Sequence, residues 1–287
     1  MMFNLNPYIK LARLDKPTGI WLLLLPCWWG LFLTKPSTIP FTEIFLFSLG
    51  AVFLRGAGCT YNDIIDRTYD AQVHRTSSRP LARGIVTVNQ AVIFLILQLI
   101  AGFFVLMSFP SLTIQLGISS LLLVGIYPWM KRFTYWPQAF LGLAFNWGVL
   151  VGWTSLTPTF SLAPLFLYLG GICWTLGYDT IYAHQDIEDD MRIGVKSSAI
   201  ALKQHTWSFL GLTYALMLIF FVLAGLSQNL SWLYYIGLVV LSFQLAWQVL
   251  TLDIYDPEDC MTKFKSNILT GFLALTALIG GSFQEIQ

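Results

Sequence analysis

Residues 41–70 read FTEIFLFSLGAVFLRGAGCTYNDIIDRTYD, and they decide the fold. The stretch is apolar to about residue 61 and then turns acidic, with Asn62, Asp63, Asp66 and Asp70. The pattern recurs once. An apolar stretch over 162–183 runs into YDTIYAHQDIEDD (178–190), with Asp179, Asp186, Glu188, Asp189 and Asp190. These two clusters hold eight of the fifteen acidic residues, so the negative charge of the chain is concentrated at two points. A charged group at mid-membrane costs at least about 2.5–3.5 kcal/mol, and carboxylates at the edge of hydrocarbon therefore mark a function.

The surrounding composition is that of a bilayer solute. Of 287 residues, 56% are hydrophobic and 11% charged, where a soluble domain carries about 25% charged residues. The net charge of +1 offers no basic surplus for nucleic acid. Apolar windows of about 18–22 residues predict an all-α, polytopic protein with nine spans near 17–34, 41–61, 88–108, 111–128, 138–157, 162–183, 206–226, 231–251 and 267–284. Short Pro- and Ser-rich breaks (KPSTIP, LTPTFS, LSQNLS) join them on one side. Longer loops (62–87, 129–137, 185–205, 252–266) join them on the other. Fifteen of the sixteen Lys and Arg fall in the N-terminal arm, the longer loops or adjacent helix ends, leaving Lys35 alone opposite. The positive-inside rule then turns the longer loops and both acidic clusters toward the cytoplasm. Two acidic helix ends four spans apart are consistent with one domain over 1–287 built from a duplicated four-helix unit plus one extra helix. The N-terminal arm has neither the apolar core of a signal peptide nor the Arg- and Ser-rich character of a transit peptide, so a bacterial inner membrane is the expected setting. Cys27, Cys59, Cys173 and Cys260 are scattered without metal or disulfide spacing and read as small buried hydrophobes.

If each cluster continues its helix, at about 100° per residue Asn62, Asp66 and Asp70 keep to one stripe, and Asp179, Asp186 and Asp190 to a tighter one. Glu188 and Asp189 point elsewhere, toward solvent. Two facing stripes of oxygen ligands suit Mg2+ with sites left for diphosphate oxygens. Basic residues accompany them: Arg75, Arg79 and Arg83 after the first cluster, Lys131 and Arg132 in YPWMKRFTYWPQ (127–138), and Arg192 and Lys196 after the second. Arg binds phosphate oxygens in a bidentate fork and Lys as a compact charge. Tyr61, Tyr127, Tyr178 and Tyr182 lie close enough in sequence to line a pocket or face a cation.

The same residues carry a resemblance over nearly the whole chain. N-x-x-x-D-x-x-x-D (Asn62, Asp66, Asp70) and D-x-x-x-D (Asp186, Asp190) are similar to the two motifs of the UbiA-type intramembrane prenyltransferases. The blocks LDKPTGIWLLLLP (14–26), AGCTYNDIIDRTYDAQVHRTSSRPL (57–81), YPWMKRFTYWPQ and YDTIYAHQDIEDDMRIGVKSSAI (178–200) resemble the branch acting on 4-hydroxybenzoate. The resemblance implies about nine transmembrane helices around a central cavity opening to the cytoplasm. It also implies Mg2+-dependent transfer of a polyprenyl group from polyprenyl diphosphate to C3 of 4-hydroxybenzoate, a membrane step of ubiquinone biosynthesis. In that reaction Asn62, Asp66, Asp70, Asp186 and Asp190 hold the metal, and Arg75, Arg79, Lys131 and Tyr127 bind diphosphate. Arg132, with Arg13 as second choice, anchors the carboxylate of the acceptor. Asp179 accepts a proton, orients the acceptor or joins the metal. Two alternatives remain: a UbiA-type enzyme with another acceptor, and a cation-coupled transporter.

Overall fold

Prolines set where several of the long helices begin, because a missing N–H is harmless in a first turn. The computed structural model describes residues 5–159 and 161–282. Among them are twelve α-helices: α1 (Asn6–Leu11), α2 (Thr18–Leu33), α3 (Phe41–Asp70), α4 (Val88–Leu106), α5 (Ser111–Phe133), α6 (Pro137–Leu156), α7 (Leu162–Ala183), α8 (Ile187–Ile193), α9 (Ser198–Leu202), α10 (Thr206–Ser227), α11 (Trp232–Thr251) and α12 (Pro257–Ser282). Pro17, Pro40 and Pro110 immediately precede α2, α3 and α5, while Pro137 and Pro257 open α6 and α12. Side chains cap α4, α7 and α9. Thr87 and Gln90 form a capping box on α4, and the Ser161 hydroxyl accepts from the Ala163 amide at α7.

Each of the nine apolar windows is occupied by one long helix, and the last two residues of the 267–284 window lie outside the described residues. Seven helical segments are long and apolar enough to cross a bilayer: α3, α4, α5, α6, the run Ser198–Ser227 containing α10, α11 and α12. The apolar helix α2 is shorter, at 16 residues. With 22 residues α7 has the length, but its polar end, from Thr175 through Tyr178, Asp179 and Thr180, leaves it less apolar than those seven. The polarity that weakens α7 as a bilayer span is the polarity of the site.

Helix α2 lies at the centre, packed on α6, α12, α3 and α7. Its contact with α6 is backbone to backbone. A Cβ on Gly30 would fall 2.0 Å from the Val149 carbonyl oxygen, and one on Gly152 2.0 Å from that of Cys27. Lipid offers no hydrophobic drive for helices to associate, so such close approach supplies the dispersion contact that holds them. Trp29, Trp174 and Phe221 fill the space between α2, α7 and α10, with ring centroids 5.0 and 5.5 Å from Trp29. Both indole N–H groups are satisfied, Trp29 donating to the Gly271 carbonyl at 2.9 Å and Trp174 to Asn267 Oδ1 at 2.7 Å. The outer faces of α4 and α11 carry exposed Ile93, Leu97, Phe104, Val239 and Phe243, an apolar surface suited to acyl chains.

Candidate active site

The first cluster is delivered by helix length. At 30 residues α3 spans about 45 Å, against a hydrocarbon core of about 30 Å, so its last turns carry Asn62–Asp70 beyond the apolar layer as helix. The second is delivered differently. Helix α7 ends at Ala183, a 3-10 turn covers His184–Asp186, and α8 starts anew at Ile187. The expected single stripe through Asp179, Asp186 and Asp190 is therefore broken at His184. That residue is buried, with Nε2 2.9 Å from the Thr206 hydroxyl, and burial pushes its imidazole down to about 4. Asp186 and Asp190 nonetheless remain neighbours. Burial and then the charge of Asp186 push the Asp190 carboxyl up to about 7.

Every carboxylate of the two motifs for which partners are seen faces a Lys or Arg. Lys131 Nζ lies 2.6 Å from Asp66 Oδ2, and Arg132 Nη2 3.7 Å from Asp66 Oδ1. The carboxylate is fully buried, and the Lys131 ammonium is its close partner. Arg79 Nη1 reaches Asp70 at 2.7 Å. Arg75 Nε spans Asp186 at 2.8 and 3.0 Å, Nη2 closes on the same carboxylate, and Nη1 donates to the Tyr182 hydroxyl at 2.7 Å. The structure thus brings together Asp66, Asp70, Asp186, Asp190, Arg75, Arg79 and Lys131. Hard carboxylate oxygens gathered at one membrane edge, among them the fully buried Asp66, fit a divalent cation. Among the described residues no three His, Cys, Asp or Glu side chains are grouped so as to hold one ion, and Asp66, Asp70 and Asp186 are each paired with a basic side chain.

The two residues expected to anchor an acceptor carboxylate have other partners. Arg132 stacks over Trp129 at 4.5 Å and Tyr69 at 5.1 Å and donates to the Ile65 carbonyl at 3.1 Å. Arg13 is bound through Nη2 to both oxygens of Asp63, at 2.8 and 2.9 Å. Asp189 is no free solvated carboxylate either: it accepts from the His74 amide and from Arg192, which also donates to the Gln72 carbonyl. Arg192 and Lys196, the latter on the Phe133 carbonyl, tie the loops together and do not reach into the site. At the mouth these loops enclose a cleft of about 690 Å³ lined by His74, Arg75, Ser77, Ser78, Gln185 and Pro257.

A second tier lies deeper, and sequence reasoning missed half of it. Arg55 had counted among helix-end charges. With α3 running on to Asp70 it sits in the middle of that helix, seven residues and about 10 Å below Asn62. Its guanidinium lies over the Phe145 ring at 5.2 Å, against Gly19, and within electrostatic reach of Tyr127, Tyr178 and Tyr182. Asp179, seven residues before Asp186, is within reach of both Arg55 and Arg75. Arg55 and Asp179 are surrounded by α2, α5, α6 and α7 yet only half-buried, so they border interior space, and Arg55 Nε has no hydrogen-bond partner. The signal in the sequence was a lone arginine six residues inside the 41–61 span.

The comparisons agree with this architecture. Residues 23–276 match the model of the UbiA prenyltransferase family. The chain is 49% identical over 283 residues to the mitochondrial 4-hydroxybenzoate polyprenyltransferase of Arabidopsis thaliana, covering 96% of this chain and 69% of that one. To its human namesake it is 44% identical over 281 residues, covering 97% and 76%. Among solved structures, the apo UbiA homologue of Aeropyrum pernix K1 superposes with a TM-score of 0.76 at 21% identity, over 91% of this chain and 96% of that one. The Archaeoglobus fulgidus homologue bound to GPP and Mg2+ gives 0.66 at 19%, over 94% and 99%. With the helical fold and the sequence in agreement over most of its length, the chain belongs to the UbiA prenyltransferase family.

Proposed function

We propose that the protein transfers a polyprenyl group from polyprenyl diphosphate to C3 of 4-hydroxybenzoate within the membrane, releasing diphosphate and a proton. The observation that carries the reading is the two-tiered site, with carboxylates and cations at the mouth and Arg55 with Asp179 on the floor. Relatives at 44–49% identity bearing that activity in their names support it.

Asn62, Asp66, Asp70, Asp186 and Asp190 would hold Mg2+, which neutralises the charge growing on the departing diphosphate. Arg75, Arg79 and Lys131 turn to the diphosphate oxygens, and Tyr127 closes the site from α5. As the allylic C1–O bond breaks, the faces of Tyr127, Tyr178 and Tyr182 stabilise the cation while surrounding helices exclude water. We assign the anchor of the acceptor carboxylate to Arg55 in preference to Arg132 or Arg13, because Arg132 already lies beside Asp66 and Arg13 is bound to Asp63, whereas Arg55 has no ion-pair partner among the described residues. That orientation turns the phenol end toward the mouth. C1 bonds to C3, and Asp179 takes the C3 proton.

The mouth is proposed to face the Lys- and Arg-rich side of the membrane, and the helix pairs α3–α4 and α7–α10 to be equivalent parts of a repeated unit. The setting is proposed to be a bacterial inner membrane; the relatives named are mitochondrial. Mass spectrometry of the product formed by purified protein from 4-hydroxybenzoate and a set of polyprenyl diphosphates, with Mg2+ or EDTA, tests the activity. A prenylated 4-hydroxybenzoate that depends on Mg2+ is expected. Diphosphate release with no prenylated acid would reassign the acceptor.

A further inference from the structure

Asp63 is the carboxylate of the first cluster that the metal stripe leaves out. One residue after Asn62, it is turned about 100° from Asn62 and about 60° from Asp66, and it lies nearly in line with Asp70 two turns on, which is why one arginine can reach both. It is 1% exposed and three times bonded: to Arg13 Nη2 at 2.8 and 2.9 Å and to Arg79 Nη1 at 3.1 Å. The same Arg79 nitrogen lies 2.7 Å from Asp70 Oδ2. One guanidinium nitrogen is thus shared between a carboxylate of the metal stripe and one outside it. Arg13 is presented by the end of α1: it is the residue after the C-cap, left-handed at φ 58°, with its N–H on the Lys10 carbonyl and the Leu14 N–H on the Ile9 carbonyl. Leu11, buried with Leu81, Val86 and Ala91, and Tyr8, 5.2 Å from Phe94, anchor the arm against α4 and the loop that leads into it.

We propose that Asp63 and Arg13 form a clasp that sets how firmly Arg79 sits on Asp70, and through it the affinity of the site for its divalent cation. Asp63 is a positioning residue: it touches neither metal nor substrate. The inference rests on the reading of Asp70 as a metal carboxylate. A cation binding Asp70 must displace Arg79, and the more firmly Asp63 holds Arg79, the easier that displacement is. Without Asp63, Arg79 depends wholly on Asp70 and competes harder. Without Arg13, Asp63 has Arg79 as its remaining partner and draws it off Asp70.

The test titrates Mg2+ alone into purified, detergent-solubilised protein and follows the melting temperature. Asp63→Asn should raise the Mg2+ midpoint by about tenfold, the scale of one charge-assisted hydrogen bond, and Arg13→Gln should lower it. Change of net charge near the metal would give the same two signs but would persist without Arg79. The clasp requires that on an Arg79→Gln background both substitutions shift the midpoint by less than twofold. Undiminished shifts on that background, or shifts of the same sign in the two single variants, would overturn the clasp. If Asp63→Asn does not fold, Arg13→Gln with and without Arg79→Gln decides the matter. Failure of Mg2+ to raise the melting temperature of the unaltered protein would instead remove the metal reading, and the clasp with it.

Discussion

Replacing Arg55 by glutamine isolates the lower tier of the site. The guanidinium has no carboxylate within ion-pair distance among the described residues, and its Nε has no partner, so the substitution breaks no native ion pair. What it removes is one charge-assisted bond to a carboxylate, about 1.5–3 kcal/mol, or roughly ten- to a hundredfold in affinity. Arg55 lies about 10 Å below Asn62, so the diphosphate end should not register the loss. Initial rates of membranes containing the variant, measured against each substrate with the other saturating, should show the KM for 4-hydroxybenzoate raised ten- to a hundredfold. The KM for polyprenyl diphosphate should change less than threefold. Arg55→Lys should recover part of the loss, since it keeps the charge without the planar fork. Equal effects on both substrates would show that Arg55 holds the bundle together. A larger acceptor effect from Arg132→Gln would return the anchor to the mouth.

Gly19→Ala should act through the same arginine: a Cβ there would lie 2.4 Å from Arg55 Nε, and as a flexible tip must yield, the KM for the acceptor should rise several-fold with little change in melting temperature. Asp66→Ala and Asp186→Ala should each leave less than about one-thousandth of the turnover in a Mg2+-dependent prenyl-transfer assay while membrane insertion, followed by detergent extraction, is unchanged. Arg75→Ala should raise the KM for polyprenyl diphosphate more than that for 4-hydroxybenzoate, by about tenfold, because its partners Asp186 and Tyr182 belong to the upper tier. Chelation by EDTA should abolish turnover and excess Mg2+ restore it; full activity in metal-free buffer would contradict the assignment of the carboxylates.

The sequence determined what repeats along one helix. Nine apolar windows, proline starts and the stripe Asn62–Asp66–Asp70 all follow from hydropathy and from the angular step of a continuous helix, and α3 is continuous through Asp70. The second stripe could be named but not shaped, because the break at His184 depends on a hydrogen bond to Thr206, 22 residues away. Partner choice lay further out of reach. Whether Arg13 faces a substrate or Asp63, 50 residues on, depends on how the arm packs over α3, and no local pattern records that. Arg55 shows the same division: its type and position were legible, but its role follows from four other helices enclosing it, and only tertiary packing sets those distances.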